Sequence, residues 1–226
     1  MLLVCNSTPF WDGQGVKHGA ARKCASHLTN RNRESRIIDS QPAPSDTTMP
    51  PLIIRPSTAA DLAAITQIYG VAVVSGTGTF ELDPPDEADI ARRRDDVLSK
   101  SLPWLVAERG QVVVGYAYAN HFRPRMAYRF CLEDSIYLAP QAQGLGVGRL
   151  LLAELLAQSE ARGARQMLAV IGDCTNVGSI AMHRACGFQP AGSFKAAGWK
   201  FERWLDVVLM QKGLGDAAAT APPASL

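Results

Sequence analysis

The feature that most limits what this chain can fold into is the run Gln141-Ala142-Gln143-Gly144-Leu145-Gly146-Val147-Gly148-Arg149. It stands between an apolar segment ending at Leu138 and a stretch, residues 146–163, with the strongest helical periodicity in the chain. A strand, a glycine turn and a long helix are expected in that order. Gly144 and Gly146 let the backbone bend tightly and approach a ligand without a Cβ in the way. The free N–H groups at the helix start then offer the positive end of a dipole, which suits a pyrophosphate. A dinucleotide site would want G-x-G-x-x-G and an acidic residue at the end of the next strand, and here that strand ends at Gly172. A nucleoside-triphosphate loop would want Gly-Lys-Ser/Thr, which is absent from the run. A glycine-rich helix lead-in that holds no ligand is the bland alternative.

Around this unit, strands and helices alternate. LIIRP (Leu52–Pro56) reads as a strand, and Ser57, Thr58 and Asp61 cap an apolar-periodic helix over residues 61–73. After the turn-like SGTGTFELDPP, residues 86–100 form a second helix whose mostly charged face is expected to be exposed. WLVAERG and QVVVGYAYANHF read as two strands meeting at Arg109-Gly110 in a hairpin. A strand over 131–140 precedes the glycine turn, and Gly163 stops the long helix. An apolar strand over 166–172, a short helix over 176–187 closed by Gly187 and a last strand over 204–211 complete the pattern. The expectation is a mixed α/β domain with several meandering strands.

Composition bounds the partners. Residues 1–48 hold six Lys/Arg and four Asp/Glu, so of the chain's 23 basic and 21 acidic residues seventeen of each remain in residues 49–226. A neutral domain with no run of five like charges does not suit a nucleic acid. No stretch approaches the about 20 apolar residues of a membrane helix, and MLLVC is too short for a signal segment. A soluble protein is expected. The five cysteines, Cys5, Cys24, Cys131, Cys174 and Cys186, are scattered and odd in number, which reads as reduced thiols in a cytoplasm rather than disulfides or a metal site. Residues 1–50 are polar, breaker-rich and without apolar period, and read as a disordered or loosely attached extension. A start at Met49 and a targeting role for that extension are both open. The folded domain is placed at 51–212, with an Ala/Pro-rich tail at 213–226.

The Q-x-x-G-x-G turn, followed by Asn176, Ser179 and HRACGF, resembles the GNAT acyltransferase superfamily. Longer pieces, TGTFE, Ala127-Tyr128-Arg129 leading into LEDSIYL, AVIGD-x-x-N, SIAMHRACGF and GWKFERWLDVVLMQ, are similar to its phosphinothricin and methionine sulfoximine N-acetyltransferases. They span nearly the whole domain and leave residues 1–48 untouched. The resemblance implies a mixed, splayed central sheet flanked by helices and opened around acetyl-CoA. The amides of Gln143, Gly144, Leu145, Gly146, Val147, Gly148 and Arg149 would meet its pyrophosphate, and the backbone of Ile136, Tyr137 and Leu138 its pantetheine arm and thioester. Asn176 and Ser179 would also contact it. No metal is expected.

Acetyl transfer to an amine needs a neutral amine, a polarised carbonyl and a proton for the departing thiolate. Glu133 stands three residues before the thioester segment and suits the base; the resemblance implies that role. An exposed strand charge or a salt bridge to Arg125 or Arg129 is the alternative. Asp134 belongs on the other strand face. His183 stands where many superfamily members carry Tyr, agrees with the phosphinothricin-type branch and could serve as acid, or could be a packed residue. Arg123 and Arg125 offer guanidinium forks for the carboxylate of an amino-acid-like substrate. Phe80, Glu81, Pro124, Tyr128, Asp134 and Ser135 are grouped with them as pocket walls. The segment from Trp199 to Trp204 would close the site, form a contact in the homodimer that the resemblance implies, or belong to the core. Competing readings are a similar enzyme for a polyamine, an aminoglycoside or a protein terminus, a non-catalytic acetyl-CoA-binding regulator, and a nucleotide-binding module.

Overall fold

The computed structural model describes residues 50–222, so the extension read in residues 1–50 lies, but for Pro50, outside the described residues. The strands are β1 (Leu52–Pro56), β2 (Trp104–Arg109), β3 (Val112–His121), β4 (Cys131–Leu138), β5 (Gln166–Gly172), β6 (Gln189–Lys200) and β7 (Arg203–Gly213). The helices are α1 (Leu62–Ser75), α2 (Glu87–Ser99), α3 (Val147–Ala161) and α4 (Val177–Ala185). The strands form one sheet in the order β1-β2-β3-β4-β5-β7-β6, in which only β4 and β5 pair in parallel. That parallel step is made through the glycine turn and α3, as a crossover requires.

Local chemistry accounts for the ends. Asp61 accepts the Thr58 N–H at 2.7 Å and both terminal guanidinium nitrogens of Arg55 at 2.8 Å, tying β1 to the entry of α1. Asp86 accepts the Asp89 N–H at 2.7 Å and starts α2. The β2–β3 hairpin turns on Gly110 and Gln111, both at positive φ, as a two-residue turn demands. Gly163 and Gly187, at φ 87° and 89°, end the helical stretches before them.

Two apolar layers sandwich the sheet. On one side α1 brings Ile65, Ile68, Tyr69 and Val73 against β3 and β4, where Tyr137 meets Tyr69 edge-on at 4.8 Å and stacks on Tyr116 at 5.3 Å. On the other, α3 buries Val147, Leu151, Leu152, Leu155 and Leu156. Although largely charged, α2 buries Ile90 and Val97 and leaves most of its surface to solvent.

Two differences from the sequence reading stand out. The segment before β7 is a full strand, β6, that the sequence leaves unassigned. Pro190, Gly192 and Gly198 break its pattern, its register shifts twice against β7, and nearly all of it is exposed at the sheet edge, where proline is tolerated. The segment read as a tail begins in contact with the domain. Leu214 is buried, and the Arg165 guanidinium donates to the Thr220 hydroxyl at 2.6 Å.

Candidate active site

The pairing of β4 with β5 runs from Cys131–Gln166 to Asp134–Ala169 and stops, although β4 continues to Leu138 and β5 to Gly172. Residues 135–138 therefore keep β3 on one edge and have no strand on the other. A cleft of about 550 Å³ opens in the gap, walled by both strands, the glycine turn, the start of α3 and one side of α4.

The glycine turn closes one end. Gly144 and Gly146 have φ 73° and 77°, left-handed values that favour glycine, and a Cβ on either would meet nothing within 4 Å. Gly146 then caps α3, whose first residues Val147, Gly148 and Arg149 line the cleft. Gly148 is also needed for packing, because a Cβ there would lie 2.7 Å from the Met182 sulfur of α4. Asn176 caps α4 by accepting the Ser179 N–H at 3.3 Å, and both residues face the cleft. With Ile136, Tyr137, Leu138 and Gln143 they complete the wall; of the residues assigned to the cofactor, only Leu145 stands outside it, 53% exposed.

Strand alternation sorts the ionisable groups. Glu133, Ser135 and Tyr137 share one face of β4, opposite Asn120, Tyr118 and Tyr116 of β3 and beneath α1. Burial raises the Glu133 pKa above the usual carboxylate range, Asp134 adds to this, and Arg123 opposes it; no hydrogen bond contributes. Asp134 points the other way. Its carboxylate is 2.9 Å from His183 Nε2, and the side chains are 3% and 4% exposed. His183 Nδ1 lies 2.8 Å from the Ser179 carbonyl and 3.3 Å from its hydroxyl. Burial would lower the His183 pKa, but Asp134 and the Ser179 carbonyl outweigh it and the net direction is upward.

The remaining substrate-side residues stand outside the cleft wall. Arg123, Pro124, Arg125 and Tyr128 lie exposed on the β3–β4 loop, with the Arg123 guanidinium 4.9 Å over the Phe122 ring. Phe80 sits against Gly172 and Gly198, where a Cβ would come within 3.0 and 2.2 Å of its ring. Glu81 is engaged by Arg93 at 2.6 and 3.2 Å. The buried Lys200 donates to the Thr79 carbonyl at 2.9 Å and pins the same loop. Neither Arg93, Lys200 nor the pairing of Asp134 with His183 is evident in the sequence. Only the helical spacing of Ser179 and His183 hints that the imidazole is held by its own helix.

Known proteins are similar to this chain over most of its length. A family model described as "Acetyltransferase (GNAT) family" matches residues 67–188. The phosphinothricin N-acetyltransferase of Alcaligenes faecalis is 52% identical over 162 residues, which cover 72% of this chain and 82% of that protein. The L-methionine sulfoximine/L-methionine sulfone acetyltransferase of Pseudomonas aeruginosa is 36% identical over 170 residues, 75% of this chain and 98% of that one. Among solved structures, a GNAT superfamily phosphinothricin acetyltransferase from Sinorhizobium meliloti in complex with AcCoA superposes with a TM-score of 0.75 at 46% identity, covering 77% of this chain and 95% of that chain.

Proposed function

The chain belongs to the GNAT acetyltransferase family and is an acetyl-CoA-dependent N-acetyltransferase, and from this we infer that its acceptor is the amino group of a small amino-acid-like molecule of the phosphinothricin, methionine sulfoximine or methionine sulfone type. The observation that carries the reading is Glu133, a half-buried carboxylate with no hydrogen bond among the described residues, two residues before the strand edge that β5 leaves open.

The cleft fits acetyl-CoA. Positive-φ glycines with no protein neighbour leave room for a pyrophosphate at the amides of residues 143–149, and the open edge of residues 136–138 can hold an extended amide-bearing arm. What acetyl-CoA supplies is a thioester carbonyl. Glu133 takes a proton from the acceptor's ammonium group, and the freed amine attacks the carbonyl carbon directly. Its raised pKa matches the base more closely to neutral pH than an ordinary carboxylate would. His183, in the opposite wall, gives a proton to the sulfur as the carbon–sulfur bond breaks. Arg123 and Arg125 receive the acceptor's carboxylate, and Phe80, Glu81, Pro124, Tyr128 and Ser135 shape its surroundings, with Asp134 behind them on the opposite face of β4, paired with His183.

The same reading extends to a cytoplasmic homodimer that detoxifies such amino acids. The free thiols of Cys131, Cys174 and Cys186 support the compartment. The exposed Phe194 and Trp199 on β6, Phe201 in the β6–β7 turn and Trp204 at the start of β7 support pairing with a second copy. It also keeps residues 1–50 as an extension and 51–212 as the catalytic domain.

Thiol release from acetyl-CoA tests the core of it, with methionine sulfoximine and phosphinothricin set beside a polyamine and an aminoglycoside. Turnover is expected with the two amino acids alone and to fall about 100-fold or more in Glu133→Gln. Acetyl-CoA binding without turnover of either amino acid would overturn the acceptor class.

A further inference from the structure

From the turn between β5 and α4 we infer that Asp173 is a positioning residue for acetyl-CoA: its buried carboxylate, held by Arg203 of β7, fixes the chain so that the Asn176 carboxamide presents its N–H groups to the cleft. The inference rests on the acetyl-CoA reading of that cleft and adds to it the group that sets one of its walls.

The backbone at Asp173 carries the argument. Directly after Gly172, the last residue of β5, it turns to φ 68°, a left-handed value that glycine adopts freely and aspartate adopts where its side chain finds a local partner. That partner is present. Oδ1 accepts the Thr175 N–H at 3.0 Å, closing a turn over two residues, and Oδ2 accepts from the Arg203 guanidinium at 2.6 Å. The main chain is pinned as well, since the Asp173 N–H donates to the Asp206 carbonyl of β7 at 2.8 Å and the Asp173 carbonyl accepts the Asn176 N–H at 3.0 Å. Chiefly the Thr175 N–H, then Arg203, hold the carboxyl below its usual range against burial, so the side chain is ionised at neutral pH.

Only Asp173, Cys174 and Thr175 separate the end of β5 from the cap of α4. The direction in which the chain leaves β5 therefore decides where the Asn176 side chain lands. Cys174 and Thr175 are both exposed, which leaves Asp173 as the buried fixed point of the turn.

The amide orientation at Asn176 follows from its cap. The Ser179 N–H can only donate, so the atom that receives it is Oδ1, and Nδ2 carries two N–H groups that make no hydrogen bond among the described residues. Asn176 lines the cleft, as does Gly78, on which a Cβ would lie 3.8 Å from Nδ2. Acetyl-CoA is rich in carbonyl and phosphate oxygens, which accept, and a carboxamide with both N–H groups free suits either.

The experiment reads acetyl-CoA binding to the full chain by calorimetry, with no acceptor present. Asn176→Ser keeps a capping oxygen and removes the amide N–H groups; its Kd is expected to rise about fivefold, the worth of one hydrogen bond. Asp173→Gly removes the carboxylate at a φ that glycine adopts without strain, so the turn loses its anchor, and a rise of similar size is expected. The double variant should bind no more weakly than either single one, because Asp173 acts through Asn176. Asp173→Asn keeps an acceptor for the Thr175 N–H and tolerates the left-handed turn, so its Kd should stay within about twofold of the wild type. Wild-type affinity in Asn176→Ser overturns the inference, even if Asp173→Gly fails to fold. Losses that add in the double variant would make Asp173 a staple of the loop alone and overturn it too. So would an Asp173→Asn that binds as weakly as Asp173→Gly. If the Kd values behave as expected while neither amino acid is acetylated, the acceptor class fails and the positioning role stands.

Discussion

Glu133 must be ionised to act as a base, yet burial and the adjacent Asp134 favour its protonated form. The acid limb of kcat/KM should therefore lie above the usual carboxylate range, with activity falling as pH drops through it. Arg123 is the charge that opposes this shift, so Arg123→Ala is expected to move the limb higher still and to raise the KM for the amino acid. A pH profile of the variant in which neither quantity changes would remove Arg123 from the site. Stability should respond in the opposite sense to activity. A carboxyl whose folded pKa is raised contributes stability below its unfolded pKa and loses it as pH rises through the folded value, so at pH 7–8 its ionised form is a burden. Glu133→Gln is accordingly expected to melt no lower than the wild type at pH 8 while its turnover collapses, which a thermal melt and an assay on one sample will show.

At the scale of elements, the glycine turn separates backbone strain from ligand contact. Gly146→Ala puts a side chain at φ 77° but against no protein atom. It should lose about 1 kcal/mol from the left-handed conformation, a few degrees of Tm. Any further weakening of acetyl-CoA binding, read by calorimetry, then reports the ligand's approach to that Cβ; a loss no larger than the strain would place the pyrophosphate elsewhere. This turn, α3 and the apolar β5 are legible in the sequence because glycine placement and periodicity are local signals. The strand β6 is not, since its proline, glycines and exposed side chains suit an edge whose order comes from β7. The Asp134–His183 pair is not either: its partners are 49 residues apart and meet only through the splay of β4 and the placement of α4. Phe80 and Glu81 are legible as pocket walls only through the resemblance, and Gly172, Gly198 and Arg93 show what holds them where they are.

For the whole molecule, acid stability should be set early in the chain. Hydrogen bonds from Arg55, helped by the Thr58 N–H, overcome burial and hold the Asp61 carboxyl down to about 2. A depressed folded pKa contributes stability above the unfolded value of ~3.9 and loses it as pH falls toward the folded one. Melting curves of Asp61→Asn should therefore start lower at neutral pH and decline less between about pH 4 and 2 than the wild type; parallel curves would exclude the pair as the source. The break in the sheet has a consequence on the same scale. Four rungs, Cys131–Gln166 to Asp134–Ala169, are the seam between a plate made of β1 to β4 and another made of β5, β7 and β6. A donor held along the free margin of β4 would bridge the two plates where backbone pairing does not, as a removable brace taken out and refitted at each turnover.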